Sequence, residues 1–148
     1  MVVLANAPLR LSILSSPEHL PVVRAALERV CELLGFGEDA RGEIVLAVDE
    51  ALTNVIRHAY HGRHDRPIEV ILSRVEPPAG GALQIVLRDW GDPVDPGRIK
   101  SRDLAEVRPG GLGVHIMTNC MDSVEYAHAA DGGTRLTLTK TLPARSDA

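Results

Sequence analysis

The stretch from Glu43 to His61, EIVLAVDEALTNVIRHAYH, constrains this chain more than any other, because its apolar residues Ile44, Val48, Leu52, Val55 and Ala59 recur at steps of three and four. A helix with one core-facing stripe requires that spacing, so a central helix is predicted here. On a different face Glu50 and Asn54 stand one turn apart, which points a carboxylate and a carboxamide the same way at roughly 6 Å. Oxygens so placed can hold a hard cation and take a proton from a hydroxyl. The same pair also suits an ordinary solvated helix face.

Composition bounds what this helix can belong to. A chain of 148 residues, 45% hydrophobic and 24% charged, fits one domain over 1–148 with a real core. The aromatic residues are Phe36, Tyr60, Trp90 and Tyr126, so the core is predicted to be aliphatic, and base stacking on nucleic acid is disfavoured. A formal charge of -4 argues in the same direction, since binding to a polyanion rests on Lys and Arg. Cys31 and Cys120 lie among apolar neighbours and read as buried free thiols, which implies a reducing, cytoplasmic setting. The N-terminal MVVLANAPLRLSIL lacks the pattern of an export signal, and no run of apolar residues is long enough for a membrane span.

In chain order, Leu9 to Leu14 alternates as an edge strand does, and Ser16 then caps a helix with Pro17 at its first position. That helix is predicted to run to Leu34, burying Leu20, Val23, Leu27, Val30, Cys31 and Leu34, and to stop at Gly35 and Gly37. Ile68 to Val75 and Leu83 to Asp89 read as an antiparallel hairpin across the turn residues Glu76 to Ala82. Trp90 to Gly113 has no periodicity; such a run inside a domain is either disordered or functional, commonly a lid over a ligand. A short helix from Val114 to Met121 follows, then strands Ser123 to Ala127 and Thr134 to Leu142 around the turn AADGG. The fold class is α+β: a two-layer sandwich of a mixed, mainly antiparallel sheet of about five strands with three helices on one face.

Two glycine segments give the helix pair a context. Asp89 ends a strand and precedes Trp90 and Gly91; a carboxylate fixed there can accept from an exocyclic amine, and a glycine leaves room for a flat ring. The same residues also suit a plain turn. Pro109, Gly110, Gly111, Leu112 and Gly113 stand before the short helix, where backbone N–H groups can converge on a polyphosphate or simply form a hinge.

ExxxN in a helix (Glu50, Asn54), DxG after a strand (Asp89, Gly91), GGLG before a helix (Gly110 to Gly113) and a late GT (Gly133, Thr134) together resemble the GHKL superfamily, with its Bergerat-type ATP-binding fold. EALTNVIRHAY and DWGDPVDP are most similar to its anti-sigma-factor serine/threonine-protein kinase family, RsbW/SpoIIAB-like in type. Pro93 stands where that family often has a second glycine.

The resemblance implies an ATP- and Mg2+-dependent protein kinase that binds a sigma factor and phosphorylates a STAS-type antagonist protein, acting as a homodimer. It implies that Asn54 binds Mg2+ and that Glu50 is the general base. Asp89 would accept from the adenine amine, Gly91 would give the ring room and Thr134 would assist. Gly111, Leu112 and Gly113 would face the phosphates, and residues 92–113 would form the ATP lid, with Arg98, Arg102 and Arg108 as further cations. Two alternatives stay open: a nucleotide-gated binding switch without transfer, and the ATP lobe of a histidine kinase. His58, His61 and His64 are spaced HxxHxxH, but the helix is predicted to end between them, and packing or hydrogen bonding of His58 and Tyr60 near the helix end is preferred to a metal site.

Overall fold

Runs of aliphatic residues with partial apolar and polar alternation place the strands. In the computed structural model, which describes residue 4 and residues 7–93 and 116–144, β1 spans Leu9–Leu14, β2 Pro67–Val75, β3 Ala82–Asp89, β4 Ser123–His128 and β5 Thr134–Thr141. They form one sheet in the order β1-β2-β3-β5-β4, with every pairing antiparallel. The edge position expected for β1 and the hairpin expected for β2 and β3 are both present.

Register then decides which side chains share a face. Leu72, Ile85, Leu138 and Val124 lie side by side across β2, β3, β5 and β4, and Val70, Leu87, Leu136 and Tyr126 form the next row. Because side chains alternate every second residue, the row beyond contains Asp89 and Thr134 on that same core face. The strands thus carry polar groups to the end of an apolar floor. The opposite face presents Ser73, Gln84, Thr137 and Thr139, none of them fully buried.

The helices cover the apolar face. Ser16 caps a short 3-10 turn, Pro17–His19, by accepting the Glu18 N–H, and α1 follows over Leu20–Leu33. Leu20, Val23, Leu27, Val30 and Cys31 are buried as predicted, whereas Leu34, at the C-cap, is half-buried. The central helix, α2, spans Glu38–Asn54 and so begins five residues before the predicted start at Glu43. Its first turn holds Glu38 and Asp39, whose charges complement the positive end of the helix although they add nothing to the apolar stripe. Ile44, Val48 and Leu52 point into the core beside Ile68, Leu72 and Ile85. A π-helical turn, Val55–Ala59, extends α2 and ends it before His61.

A third helix, α3, occupies residues 116–120 and buries Met117; Val114, where it was predicted to start, lies outside the described residues. Lys140 of β5 ties it down by donating to the Cys120 carbonyl at 2.5 Å and pairing with Glu43 of α2 at 3.1 Å. Both cysteines are free: Cys31 is buried, but Cys120, at the end of α3, is half-buried rather than buried. Among the described residues no helix is long and apolar enough to cross a membrane.

Candidate functional site

Three of the sequence-predicted residues meet at one cleft. Asn54 at the end of α2, Asp89 at the end of β3 and Thr134 at the start of β5 line it with Ala51, Val55, Tyr126 and Leu136, around a tight space of about 20 Å³. All three are nearly buried, Asn54 to 6% exposure, Asp89 to 3% and Thr134 to 4%. Among the described residues the Asn54 Nδ2 and the Thr134 Oγ1 have no hydrogen-bond partner. Buried polar atoms without partners are rare and costly, by about 1–3 kcal/mol each. Both belong to residues that line one slot with mainly apolar walls, where a polar ligand would satisfy them.

Asp89 is held ready there. Its carboxylate accepts from the Gly91 N–H at 3.0 Å and from the Thr134 N–H. Burial pushes its carboxyl above the ordinary value, and these backbone bonds and the Arg88 guanidinium pull it part of the way back. Arg88, itself buried, donates to the Asp89 carbonyl and to the Asp131 carboxylate of the β4–β5 turn. Its guanidinium lies 4.6 Å from the centre of the Trp90 ring. Tyr126 closes the slot, and burial pushes its hydroxyl up to about 12, so it stays neutral at working pH.

Gly91 lines the neighbouring cavity, with Tyr60, Arg63, Arg66 and Trp90, and is absent from the slot's lining. A Cβ at position 91 would collide with the Ala59 carbonyl, so the close approach that demands glycine is to the π turn. Glu50, half-buried one turn before Asn54, does not line the slot either. Burial, then the adjacent Asp49 charge, raises its carboxyl above the ordinary value, while Arg57 lowers it. A carboxylate raised in this way is closer to the pKa a general base needs at neutral pH.

Gly111, Leu112, Gly113 and the lid arginines Arg98, Arg102 and Arg108 lie outside the described residues, and of the predicted lid only Asp92 and Pro93 are described. His61 pairs with Asp92 at 2.6 Å. Among the described residues no group of three His, Cys, Asp or Glu side chains could hold a metal. Mg2+ asks for less, because it takes one or two protein oxygens and completes its shell with waters and phosphates. The buried Asn54 carboxamide is a hard donor of that kind at the wall of the slot.

Sequence reasoning missed Ala51, Val55, Tyr126 and Leu136 as walls. Ala51 and Val55 were in reach, since they flank Asn54 at steps of three and one on the predicted helix.

A family model described as a histidine kinase-like ATPase domain matches residues 13–140. The chain belongs to that family. This histidine kinase-like ATPase domain is 29% identical to the serine-protein kinase RsbW of Bacillus velezensis over 143 residues, covering 90% of this chain and 85% of the relative. Against the serine-protein kinase RsbW of Bacillus subtilis it is 28% identical over 137 residues, covering 86% and 81%. In fold it is similar to a chain of the SiaB-SiaC complex from Pseudomonas aeruginosa, with a TM-score of 0.66 at 14% identity over 88% of each chain. It also matches the RsbU and RsbW domains of a Mycobacterium tuberculosis protein, with a TM-score of 0.66 at 21% identity, over 97% of this ATPase domain and 35% of that longer chain.

Proposed function

We propose that this ATPase domain is a protein serine/threonine kinase that binds ATP in the slot and transfers a phosphoryl group to a serine of a small STAS-type antagonist, thereby controlling a sigma factor. The observation that carries the reading is the pair of partnerless buried polar atoms on Asn54 and Thr134, two residues that line one mainly apolar slot together with Asp89. An adenine ring fits that chemistry: apolar faces against Ala51, Val55 and Leu136, an exocyclic amine donating to Asp89, and the Thr134 hydroxyl at the ring edge. The relatives named serine-protein kinase RsbW supply the reaction class.

In this reading Asn54 holds Mg2+, which when bound neutralises phosphate charge. Glu50, one turn away, accepts the proton from the substrate serine as its oxygen attacks the terminal phosphorus and the bond to the bridging oxygen breaks, leaving ADP. Gly111, Leu112 and Gly113 supply backbone donors to the phosphates, and residues 92–113 form the lid. The domain acts in the cytoplasm as a homodimer.

The test is incubation with labelled ATP, Mg2+ and an antagonist domain encoded nearby. Label on one antagonist serine is the expected result, and an unlabelled antagonist in the presence of bound ATP contradicts transfer. The alternative reading is a nucleotide-gated switch without transfer. A switch would keep partner control in Glu50→Gln, whereas a kinase loses it.

A further inference from the structure

We infer that Tyr60 is a positioning residue that sets the selectivity of the slot for an aminopurine base, an inference that rests on the nucleotide-binding reading above. Tyr60 follows the π turn, and its ring is only 5% exposed. Its hydroxyl accepts from the Trp90 N–H at 2.8 Å and donates to the Pro67 carbonyl at 2.5 Å. One oxygen thereby joins the end of α2, the first residue of β2 and the residue after Asp89. Ring burial alone would be satisfied by phenylalanine; only these two bonds need the hydroxyl.

Three successive amides show what the joint does. The Trp90 N–H goes to Tyr60, the Gly91 N–H to the Asp89 carboxylate at 3.0 Å, and the Asp92 N–H to the Ala59 carbonyl at 3.0 Å. The outer two are held by the end of α2, and the middle one aims Asp89. With the amides on either side anchored, the planar unit that carries the Gly91 N–H has little room to rotate. Releasing the Trp90 amide frees the middle donor and leaves the Asp89 carboxylate held by the Thr134 N–H alone, about which it can turn. Tyr60 stands at the end of the π turn, where its N–H reaches the Val55 carbonyl at 3.0 Å, five residues back.

The test is Tyr60→Phe in the full chain, titrated with ATP and with ITP in the presence of Mg2+, because ITP carries a carbonyl where ATP carries the amine that Asp89 would accept. ATP binding is expected to weaken about tenfold, with ITP changed by less than about twofold, so that discrimination between the bases falls by nearly the same factor. Equal weakening of both nucleotides, or unchanged ATP binding, overturns the inference while leaving the nucleotide reading intact. Absence of ATP binding in the wild type overturns both. Amide exchange gives a second measurement: Trp90 and Gly91 should exchange faster in the variant while the β5 amides keep their wild-type rates. Acceleration spread evenly through β5 would mean that the hydroxyl serves overall stability and would overturn the positioning role.

Discussion

Gly133 lies backbone to backbone against Asp89: a Cβ added at position 133 would fall on the Asp89 carbonyl and the Trp90 backbone, and Gly133 has a φ of +77°. That approach seats the β4–β5 turn on the end of β3 and sets Thr134 beside the Asp89 carboxylate. Gly133→Ala should therefore harm stability and the slot together. We expect a loss of about 1–3 kcal/mol in denaturant unfolding and a parallel loss of ATP affinity. Wild-type values for both would contradict the packing.

Glu50→Gln separates binding from transfer. The variant should bind ATP within about twofold of wild type and lose about 100- to 10,000-fold in phosphoryl transfer, the usual worth of a general base. In the wild type, transfer should decline as pH falls through the raised Glu50 pKa, on an acid limb displaced upward from the ordinary 4.5. A pH–rate profile flat across that range excludes Glu50 as the base.

Asp89 gives a linked pair of expectations. Its folded pKa is raised above 3.8 chiefly by burial, so ionising it costs stability; the cost is absent below the unfolded value and complete above the folded one. ATP affinity runs the opposite way, full above the raised pKa and lost as pH falls through it. Asp89→Asn at neutral pH should then melt no lower than wild type yet bind ATP at least about tenfold more weakly. Calorimetry on both proteins checks the pair, and a variant that melts lower and binds normally contradicts it.

The two thiols should react unequally. Burial pushes the Cys31 thiol up to about 12, and a thiol without thiolate character is inert. Cys120 is half-buried and also raised. An alkylating reagent on native protein at mild alkaline pH should label Cys120 slowly and Cys31 only after unfolding, as read by peptide mass spectrometry. Rapid native labelling of Cys31 would contradict the buried position of α1.

Period carries most of what the sequence reveals about this fold. Steps of three and four located α2 through Ile44, Val48 and Leu52, whereas the register that puts Asp89 and Thr134 on the face shared with Leu87 and Leu136 is seen only in the paired sheet. Charge without apolar content hid the first turn of α2 at Glu38 and Asp39. The π turn was illegible because a single i to i+5 step leaves no repeat to detect. Gly91 and Gly133 could be seen as special, but their reason lies in approaches to Ala59 and Asp89 across long stretches of chain. Arg88 reads as an ordinary strand residue until its bonds to Asp89 and Asp131 are seen.

The most direct test of the slot is a crystal structure of the domain grown with Mg2+ and ADP or a non-hydrolysable ATP analogue. The adenine amine should donate to the Asp89 carboxylate, the Thr134 hydroxyl should reach the purine edge, and the Asn54 carboxamide oxygen should ligate the metal. Nucleotide bound away from these three residues, or none at saturating concentration, would contradict the account.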